Sequence, residues 1–394
     1  MTLINSIAAI KDEITAYRRE LHQNPQTAYE ENFASDLVAK KLTEWGIPFK
    51  RGYGVTGIVA TIEGQKTDSG KAIGLRADMD ALNMTEQSGQ PWASKNPGKM
   101  HGCGHDGHTA MLLGAAKYLS ETRNFNGKVH LIFQPAEEGA GGGERMIEEG
   151  LLKDFPMNAA FAIHNWPTLP IGIIGLCEGP IMASTDSFEI TLTGKGGHAA
   201  MPHLNNDPII AGAQLVAALQ SVVSRQVDPL DNGVISITNF KSGTGAHNVT
   251  PDSALLMGTY RSLRVETRAL LQRRINEITE STAKMFNVTF EISYRDGCDP
   301  TINTPAEVAL CAKVASDILG EKNVQIVKPA MTGDDFGAIL QSVPGCYFWM
   351  GQGVPGTPHE KGLHNSGYDF NDDIIPTGIE FWARLAETAL PLTK

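Results

Sequence analysis

Two orders of predicted secondary structure follow one another along this chain, and the change between them restricts the folds that it can adopt. Up to about residue 183, and again from about residue 297, short apolar runs such as GIVATIEG and AIGLRADM alternate with helical patterns. This alternation predicts an α/β domain with a mostly parallel sheet. Between residues 184 and 296 the order becomes β-α-β-β-α-β, which is typical of a ferredoxin-like α+β domain. We therefore predict one domain of residues 1–183 and 297–394, with residues 184–296 inserted into it as a second domain.

The longest helical patterns agree with this division. Apolar residues keep a helical period from Ile4 to Leu21, and the pair Asn24-Pro25 ends the pattern. The inserted segment contains predicted helices at about 207–225 and 265–286, and the C-terminal part of the chain adds helices at about 305–319 and 375–390. A chain of 394 residues is also too long for one ordinary core, which favours two domains.

Composition and charge argue against several classes of partner. The net charge is −11 and the pI is about 5.5, so the surface repels phosphate backbones and we expect no nucleic acid partner. No apolar run reaches the roughly 18 residues of a membrane-spanning helix, and acidic residues near the N-terminus argue against a signal peptide. The five cysteines are scattered and odd in number, which favours free thiols and a cytoplasmic location.

The stretch HGCGHDGH, at residues 101–108, places three histidines, one cysteine and one aspartate in a single glycine-spaced turn. Cys103 and His105 are separated by one residue, so in an extended loop their side chains point the same way and can reach one metal. The glycines allow the sharp bends that such a loop needs. The alternative is a structural turn in which Asp106 caps a helix that begins near His108.

Other potential metal ligands follow predicted strands. Glu137 and Glu138 come after the strand KVHLIFQ, His164 ends the strand AAFAIHN, and His364 lies in LHNSGYDF. Functional loops lie at the carboxyl ends of parallel strands, so these side chains are expected to approach the HGCGHDGH turn. Of two adjacent carboxylates, one can bind a metal while the other acts as a general base. A solvated loop is the alternative for this pair.

Nine separated segments resemble one protein family, the M20 metallopeptidases, and within it the aminoacylase/hippurate hydrolase-like amidohydrolases, a subgroup that includes the plant auxin-conjugate hydrolases. The segments are RRELHQNPQTAYEE, GLRADMDAL, HGCGHDGHTAMLLGAA, FQPAEEGAGGGERMIEEG, AIHNWP, GKGGHAAMPH, GAHNVTPD, TYRSL and LHNSGYDF. The resemblance implies that the mostly parallel-sheet domain, residues 1–183 and 297–394, is a dimetal-hydrolase catalytic domain. It also implies that the inserted ferredoxin-like domain, residues 184–296, is a lid and dimerisation domain.

The resemblance also implies roles for individual residues. Two divalent metal ions per subunit would share one site, with the ligands Cys103, His105, Glu138, His164 and His364. Glu137 matches the general base that deprotonates the metal-bound water to hydroxide and later protonates the leaving nitrogen. Asp80 is expected to orient a metal ligand, and a buried structural aspartate is the alternative.

The ligand set leaves the identity of the metal open. The thiolate of Cys103 favours zinc, whereas imidazole and carboxylate ligands also accept manganese, cobalt or nickel. The resemblance favours Mn²⁺ first and Zn²⁺ second, with Co²⁺ or Ni²⁺ as further options. Cys103 in the ligand loop is the pattern of the amidohydrolase subgroup, which favours an amidohydrolase over a general peptidase.

Three residues of the inserted domain match substrate-contacting positions of the family. His198, in GKGGHAAMPH, is implied to reach the partner subunit's active site and to stabilise the tetrahedral oxyanion, so a homodimer or a dimer of dimers is expected. Asn248 and Arg261 are implied to bind the free carboxylate of the substrate, for which the arginine fork is well suited. The alternatives are a plain loop histidine for His198 and an ion pair within the domain for Arg261.

The implied activity is hydrolysis of the amide bond of N-acyl amino acids, such as hippurate or N-acetyl- and indoleacetyl-amino acids, to a carboxylic acid and a free amino acid. One alternative is a dipeptidase or carboxypeptidase with the same dimetal mechanism, and another is a non-catalytic metal-binding protein. The sequence leaves open which acyl group and which amino acid are accepted. Asp334 and Asp335 are expected only to cap the helix that follows them.

Overall fold

The computed structural model of the protein describes residues 4–295 and 297–392. The chain divides into two units. The first comprises Met1–Ile181, Ile302–Pro329 and Asp335–Lys394, and the second comprises Met182–Thr301 and Ala330–Asp334. The second unit is thus longer than the predicted insertion of residues 184–296, because it extends beyond that range at both ends and also includes the distant segment Ala330–Asp334.

The helices lie close to their predicted positions. The α-helices are α1 (Asn5–Ala9), α2 (Lys11–Gln23), α3 (Asn32–Glu44), α4 (His105–Thr122), α5 (Gly142–Glu148), α6 (Leu151–Asp154), α7 (Pro208–Arg225), α8 (Val265–Met285), α9 (Pro305–Leu319), α10 (Phe336–Leu340) and α11 (Ile375–Ala389). Short 3-10 helices occur at Pro202–Leu204, Glu321–Asn323, Pro358–Glu360 and Asp372–Ile374. The pattern from Ile4 to Leu21 forms two helices instead of one, since Ile10 ends α1 before α2 begins.

The strands are β1 (Phe49–Tyr53), β2 (Gly57–Glu63), β3 (Ala72–Asp78), β4 (Lys128–Gln134), β5 (Ala159–Pro170), β6 (Ile174–Leu176), β7 (Gly179–Met182), β8 (Asp186–Thr193), β9 (Gly197–His198), β10 (Gly233–Ser242), β11 (Val249–Thr250), β12 (Ser253–Ser262), β13 (Thr289–Arg295), β14 (Thr301–Asn303), β15 (Val324–Ile326) and β16 (Gly345–Gly353). Strand β5 continues past the predicted run AAFAIHN because it pairs with β16 as far as Pro170.

The first unit is built on an eight-stranded sheet in the order β1-β2-β4-β3-β5-β16-β6-β15. At its centre β3 pairs in parallel with β4 and β5, and β5 pairs in parallel with β16. All residues of β3 and β16 are buried, as expected for strands that are covered on both faces. The sheet confirms the predicted α/β class with a mostly parallel sheet.

Helix α4 follows the HGCGHDGH turn directly and is held by close packing against α11. A Cβ atom on Gly114 of α4 would lie 2.4 Å from Ile379, and one on Gly378 of α11 would lie 2.1 Å from Met111. At each glycine, a side chain of the facing helix therefore packs directly against the backbone. The hydroxyl of Thr109 also donates to the carbonyl of Asp78 at 2.8 Å, which ties the first turns of α4 to the end of β3.

The start of α4 differs from the sequence-based expectation. The helix begins at His105, after Gly104 with φ +100°, and no side chain caps it. The alternative in which Asp106 caps a helix that begins near His108 is wrong, because Asp106 lies inside the first turn and its carboxylate contacts Arg18 and His22 instead. Because Gly104 adopts a left-handed conformation, the helix can begin at His105, which is itself a candidate ligand. A helix capped by the side chain of Asp106 would have to begin after Asp106.

The second unit contains a four-stranded antiparallel sheet in the order β10-β12-β8-β13. Along β8, buried Phe188, Ile190 and Leu192 alternate with more exposed residues, so one face of the sheet packs against α7 and α8. The order β8-α7-β10-β12-α8-β13 confirms the predicted ferredoxin-like arrangement. A separate pair of short strands, β9 and β11, lies in this unit. Within the described residues, no helix combines the length and apolar character that crossing a membrane requires.

Candidate metal centre

The structure brings the five predicted metal ligands and Glu137 together in the first unit. Three groups that consist only of these six side chains have ligand atoms within 4.8 Å of one another: Cys103, His105 and His164; Cys103, Glu138 and His364; and His105, Glu137 and Glu138. The groups overlap, since each shares at least one member with another. Overlapping sets of ligands are what two neighbouring metal ions require.

The two buried histidines present the same ring nitrogen to the cluster. In His164, Nδ1 donates to the backbone carbonyl of Asn165 at 2.8 Å, and Nε2 lies 3.4 Å from the Sγ atom of Cys103. In His105, Nδ1 donates to Asp80, at 2.9 Å to its backbone oxygen and 3.1 Å to Oδ1. A donated Nδ1 proton leaves Nε2 unprotonated on a neutral ring, which is the form that binds a metal.

Asp80 contacts two ligand residues with the two oxygens of one carboxylate. Oδ1 accepts from His105, and Oδ2 accepts from the backbone N–H of Glu138 at 2.9 Å. Asp80 is buried at the end of β3, and Glu138 follows β4, its parallel neighbour. The sheet register therefore allows this side chain to orient an imidazole ligand and to fix the backbone of a carboxylate ligand.

The cluster carries an excess of negative charge around one imidazole. Burial lowers the pKa of His105, but Asp78, Asp80 and Glu138 outweigh burial and raise this pKa to about 10. Burial, together with the nearby His108, holds the pKa of His164 well below its ordinary value. The second ring is thus ready to act as a neutral ligand, and the carboxylates around the first favour a bound cation.

The donor set fits divalent metal ions. The Nε2 atom of His105 is buried and has no hydrogen-bond partner among the described residues, although it lies 3.9 Å from a carboxylate oxygen of Glu137 and 3.9 Å from one of Glu138. A buried nitrogen without a partner is rare in proteins, and a metal ion would satisfy it. Imidazoles, carboxylates and one thiolate are the ligands that zinc and neighbouring transition metals bind.

His364 differs from the other candidate ligands in its exposure and backbone. Its side chain is 54% exposed, and its Nε2 atom lies 3.2 Å from Oε1 of Glu138. Its φ angle is +62°, which is uncommon for a residue with a side chain. Its backbone N–H donates to the carbonyl of Gly102 at 2.8 Å, so the loop that carries Cys103 also holds His364 in place.

Sequence patterns did not reveal the residue that shapes the loop of the two glutamates. Glu31 is fully buried, and its carboxylate accepts from the backbone N–H of Ala136 at 3.0 Å and from the hydroxyl of Thr56 at 2.6 Å. Ala136 has φ +56°, an uncommon conformation that this bond helps to hold directly before Glu137. Glu31 lies in the segment RRELHQNPQTAYEE, so the family resemblance was the one signal that pointed to its neighbourhood.

Asp335 is a second residue whose place the sequence did not indicate. It precedes α10 but makes no side-chain capping bond, so the expectation of a helix cap is wrong for this residue. Its carboxylate instead accepts from Arg76 at 3.0 Å, from Gln134 at 2.6 Å and from the backbone N–H of Gly143 at 2.8 Å. Arg76 also pairs with Asp78 at 2.6 Å. This buried network braces the ends of β3 and β4, which precede Asp80 and Glu137.

A further buried charge network lies behind the metal-binding turn. Arg18 of α2 pairs with Asp106 at 2.9 Å and with Asp369 at 2.6 Å. His22, one turn further along α2, contacts Asp106 at 2.7 Å and Glu86 at 3.2 Å. These contacts join the HGCGHDGH turn to α2 and to the segment that follows His364.

The substrate-contacting candidates His198, Asn248 and Arg261 all lie in the second unit, apart in sequence and unit from the ligand cluster. His198 is on β9 and Asn248 directly precedes β11, and the two short strands bring them together. Both residues are exposed. Arg261 lies on β12, and its guanidinium forms no ion pair or hydrogen bond with another described residue.

This fold, with its inserted unit and its two-metal ligand cluster, defines a metallohydrolase. The chain belongs to Peptidase family M20/M25/M40, whose family model matches residues 74–388. It is 39% identical to the hippurate hydrolase of Campylobacter jejuni over 98% of this chain and 99% of that one. It is 38% identical to an N-acetyl-L-cysteine deacetylase of Bacillus subtilis, over 94% and 86% of the two chains.

Two further comparisons bear on the metals and on the reaction. A solved structure described as a dinuclear metal binding peptidase of the M20 family, from Bacillus subtilis, matches with a TM-score of 0.84 and 32% identity, over 97% of this chain and 99% of that one. A thermostable carboxypeptidase of Saccharolobus solfataricus is 38% identical, over 98% and 97% of the two chains. The predicted family, fold and hydrolase class are confirmed.

Proposed function

We propose that this protein hydrolyses the amide bond of N-acyl amino acids and releases a carboxylic acid and a free amino acid, in a reaction that depends on two divalent metal ions. The observation that carries the proposal is the cluster of Cys103, His105, Glu138, His164 and His364 with Glu137 beside it. The similarity to a hippurate hydrolase and an N-acetyl-L-cysteine deacetylase supports the substrate class, because both names describe amides of this kind.

When bound, the metal ions supply Lewis acidity that activates water and polarises the acyl carbonyl. Glu137 is the group that moves the proton. Its side chain is 10% exposed, and its Oε2 atom lies 3.9 Å from Nε2 of His105, so it borders the ligand cluster. We assign to Glu137 the uptake of a proton from the attacking water and its delivery to the leaving nitrogen. That delivery is essential because an amide anion is a very poor leaving group.

The proposed role of His198 is to donate a hydrogen bond to the tetrahedral oxyanion. The Nδ1 atom of His198 accepts from the backbone N–H of Ala200 at 3.1 Å, so on a neutral ring the proton is on Nε2. Nε2–H is therefore free to donate to a developing negative charge. We propose that it does so in the partner subunit's active site, and that the second unit serves as lid and dimerisation domain in a homodimer or a dimer of dimers.

Arg261 and Asn248 are proposed to bind the free carboxylate of the substrate. A guanidinium that pairs with no other described residue retains its fork of donors for a planar anion. Among the metals, manganese is proposed first and zinc second, because the single thiolate of Cys103 is outnumbered by imidazole and carboxylate ligands. None of the five cysteines, all of which lie among the described residues, forms a disulfide, which supports a reducing, cytoplasmic location.

A dipeptidase or carboxypeptidase activity is the second candidate. The thermostable carboxypeptidase relative favours it, since a carboxypeptidase also cleaves an amide bond beside a free carboxylate. A dipeptide substrate, however, has a free α-amino group that needs a carboxylate partner. Near the cluster, Glu137 and Glu138 are assigned to proton transfer and to a metal, and Asp78, Asp80 and Asp335 already bond other buried groups. A non-catalytic metal-binding protein is disfavoured because Glu137 and the full ligand set are present.

A substrate panel on metal-stripped protein tests the proposal. N-benzoyl, N-acetyl and N-indoleacetyl amino acids would be compared with ordinary dipeptides, with manganese or zinc added back. We expect metal-dependent cleavage of acylated amino acids and little cleavage of dipeptides. Cleavage of dipeptides alone would assign the protein to the peptidases, and a lack of any cleavage by metal-loaded protein would contradict both enzymatic assignments.

A further inference from the structure

Asn165 has no role in the reaction described above, yet it is buried at the point where three ligand-bearing segments meet. It follows His164 on β5, and its backbone carbonyl accepts the Nδ1 proton of that ring at 2.8 Å. A shift of this carbonyl would rotate the His164 ring and redirect the Nε2 atom that faces Cys103. Asn165 therefore sets the orientation of one candidate ligand through its main chain.

The side chain of Asn165 holds the segment that carries His364. Its Nδ2 atom donates to the hydroxyl of Tyr368 at 2.7 Å and to Oε1 of Gln352 at 3.2 Å. Tyr368 is fully buried four residues after His364, and its backbone N–H donates to the carbonyl of Asn365 at 2.9 Å. The buried amide of Asn165 and the buried phenol of Tyr368 thus hold the segment that carries His364, the most exposed candidate ligand.

The side chain of Asn165 also packs against the turn that joins Cys103 to His105, two further candidate ligands. A Cβ atom on Gly104 would lie 2.2 Å from Oδ1 of Asn165 and 2.7 Å from the hydroxyl of Tyr368. Gly104 joins Cys103 to His105, so the amide and the phenol contact the backbone that aims both of these ligands. Only a residue without a side chain leaves room for this approach.

The network extends from Asn165 to the far side of the cluster through His108. The Nε2 atom of His108 lies 2.7 Å from Oδ1 and 3.1 Å from the backbone nitrogen of Asn165. Its Nδ1 atom lies 2.6 Å from Oδ1 of Asp78, at the end of β3. His108 is thus engaged at both ring nitrogens by residues that are not metal ligands.

We propose that Asn165, completed by Tyr368, is a positioning residue that sets the metal-binding geometry of Cys103, His105, His164 and His364 together. The proposal rests on the metal site assigned under the proposed function. Partners of metal ligands that fix ring orientation typically change metal affinity about 10- to 100-fold when they are removed. A single residue that touches three ligand segments should weaken binding at the upper end of that range.

Cobalt binding to metal-stripped protein tests this proposal without relying on catalysis. Co²⁺ reports geometry through its visible absorption bands and reports Cys103 through a thiolate charge-transfer band. Tyr368→Phe removes one hydroxyl and Asn165→Ala removes the amide, and for each we would measure the spectrum and the affinity against a competing chelator. We expect about a 10-fold weaker affinity for Tyr368→Phe and about a 100-fold weaker affinity for Asn165→Ala, with altered visible bands in both.

Two matched variants separate positioning from simple loss of stability. Tyr118→Phe alters a partly buried tyrosine of α4. Asn126→Ala removes a buried asparagine that bonds Ser69 and that precedes β4, whereas Glu138 follows the other end of that strand. We expect both to keep the parent affinity and spectrum even where the melting temperature falls. If Tyr368→Phe and Asn165→Ala behave in the same way as these controls, the proposal is wrong. A parent protein that binds no cobalt would instead overturn the metal site itself.

Discussion

The ligand cluster of the first unit and the substrate-contacting candidates of the second unit are built in opposite ways. Cys103, His105 and His164 are buried, and the two imidazoles are oriented by hydrogen bonds to neighbouring oxygens. His198, on β9, and Asn248, directly before β11, are exposed and bond mainly with backbone groups. The buried candidate ligands are thus held by other groups of the protein, whereas the proposed substrate-binding side chains of His198 and Asn248 are exposed.

The difference follows from the energetics of burial. Burying a carboxylate or an imidazole costs several kcal/mol of free energy unless the group is paired. Each such group near the cluster is therefore held by another polar group or is positioned to bind a cation. An exposed arginine or histidine retains its hydration and needs no partner in the free protein. Substitutions of the buried ligands and of the groups that hold them should therefore change metal binding and stability, whereas substitutions of Glu137 or in the second region should change catalysis or substrate binding without either. The predictions below test this division.

Glu137→Gln should have the largest effect and should separate catalysis from metal binding within the first region. We expect turnover to fall about 1000-fold, because general base catalysis typically contributes 10²–10⁴ in rate. Metal content should stay at the parent value, since the predicted ligands remain. Steady-state kinetics and metal analysis of the purified variant measure the two quantities. Glu148→Gln, on the exposed face of α5, is the control and should behave as the parent. Unchanged turnover in the Glu137 variant would show that another group moves the proton.

The buried network behind the cluster predicts a pH dependence of stability. Burial and Arg18 lower the pKa of His22, but Asp106 and Glu86 outweigh them and raise it to about 9. Because this value exceeds the ordinary pKa of about 6.5 for an unfolded histidine, the stabilisation is complete below about pH 6.5. It is lost as the pH rises through 9, and the loss amounts to roughly 3 kcal/mol in the free energy of unfolding.

Urea unfolding of metal-stripped protein at pH 6 and at pH 9.5 measures this loss. His22→Gln should have a lower free energy of unfolding at pH 6 and a flatter dependence on pH than the parent. His203→Gln, on an exposed 3-10 helix, is the control and should follow the parent curve. If the His22 variant loses as much stability between the two pH values as the parent does, His22 does not contribute to the pH dependence.

Sequence patterns predicted the first region in part. Strand ends and one glycine-spaced turn were enough to select six side chains that the structure gathers, because period and spacing determine which side chains share an edge of the sheet. They did not reveal Glu31 or Asp335, each of which bonds a residue more than 100 positions away in sequence: Ala136 for Glu31, and Gln134 for Asp335. A hydrophobic period shows which face of an element is buried, but it does not show which buried polar groups pair.

The start of α4 and the position of Asn165 also depend on contacts between distant segments, which sequence patterns do not show. A search for a side-chain cap selected Asp106, whereas the helix begins at His105 after a left-handed glycine. Gly104 adopts that conformation where Asn165 and Tyr368 leave no space for a Cβ atom, a constraint that appears only when three distant segments meet. The family resemblance covered these segments but assigned no role to Asn165.

In the second region, His198→Ala should lower turnover about 100-fold, as expected for the loss of one oxyanion donor. Metal content and unfolding free energy should not change, since the residue is exposed and its unit is separate from the ligand cluster. His203→Ala is the control. Mixed dimers of Glu137→Gln and His198→Ala chains should regain activity, because one of the two active sites would combine an intact Glu137 with an intact partner His198. A mixture as inactive as its parts would mean that His198 does not act across the dimer.

Arg261 provides the smallest and most selective effect. If its guanidinium binds the substrate carboxylate, Arg261→Ala should raise KM about 10- to 100-fold, the range expected for a lost charged hydrogen bond.

The parent should lose a similar factor when the carboxylate of the substrate is replaced by a carboxamide, whereas the variant should lose little more, because the same interaction cannot be removed twice. The KM of Arg261→Lys should lie between those of the parent and of Arg261→Ala, since lysine keeps the charge but not the planar fork. Arg225→Ala, at the exposed end of α7, controls for net charge. If parent and variant lose the same factor in KM on the carboxamide, the carboxylate is bound elsewhere. The second region would then contribute less to substrate recognition than the guanidinium of Arg261, which pairs with no other described residue, suggests.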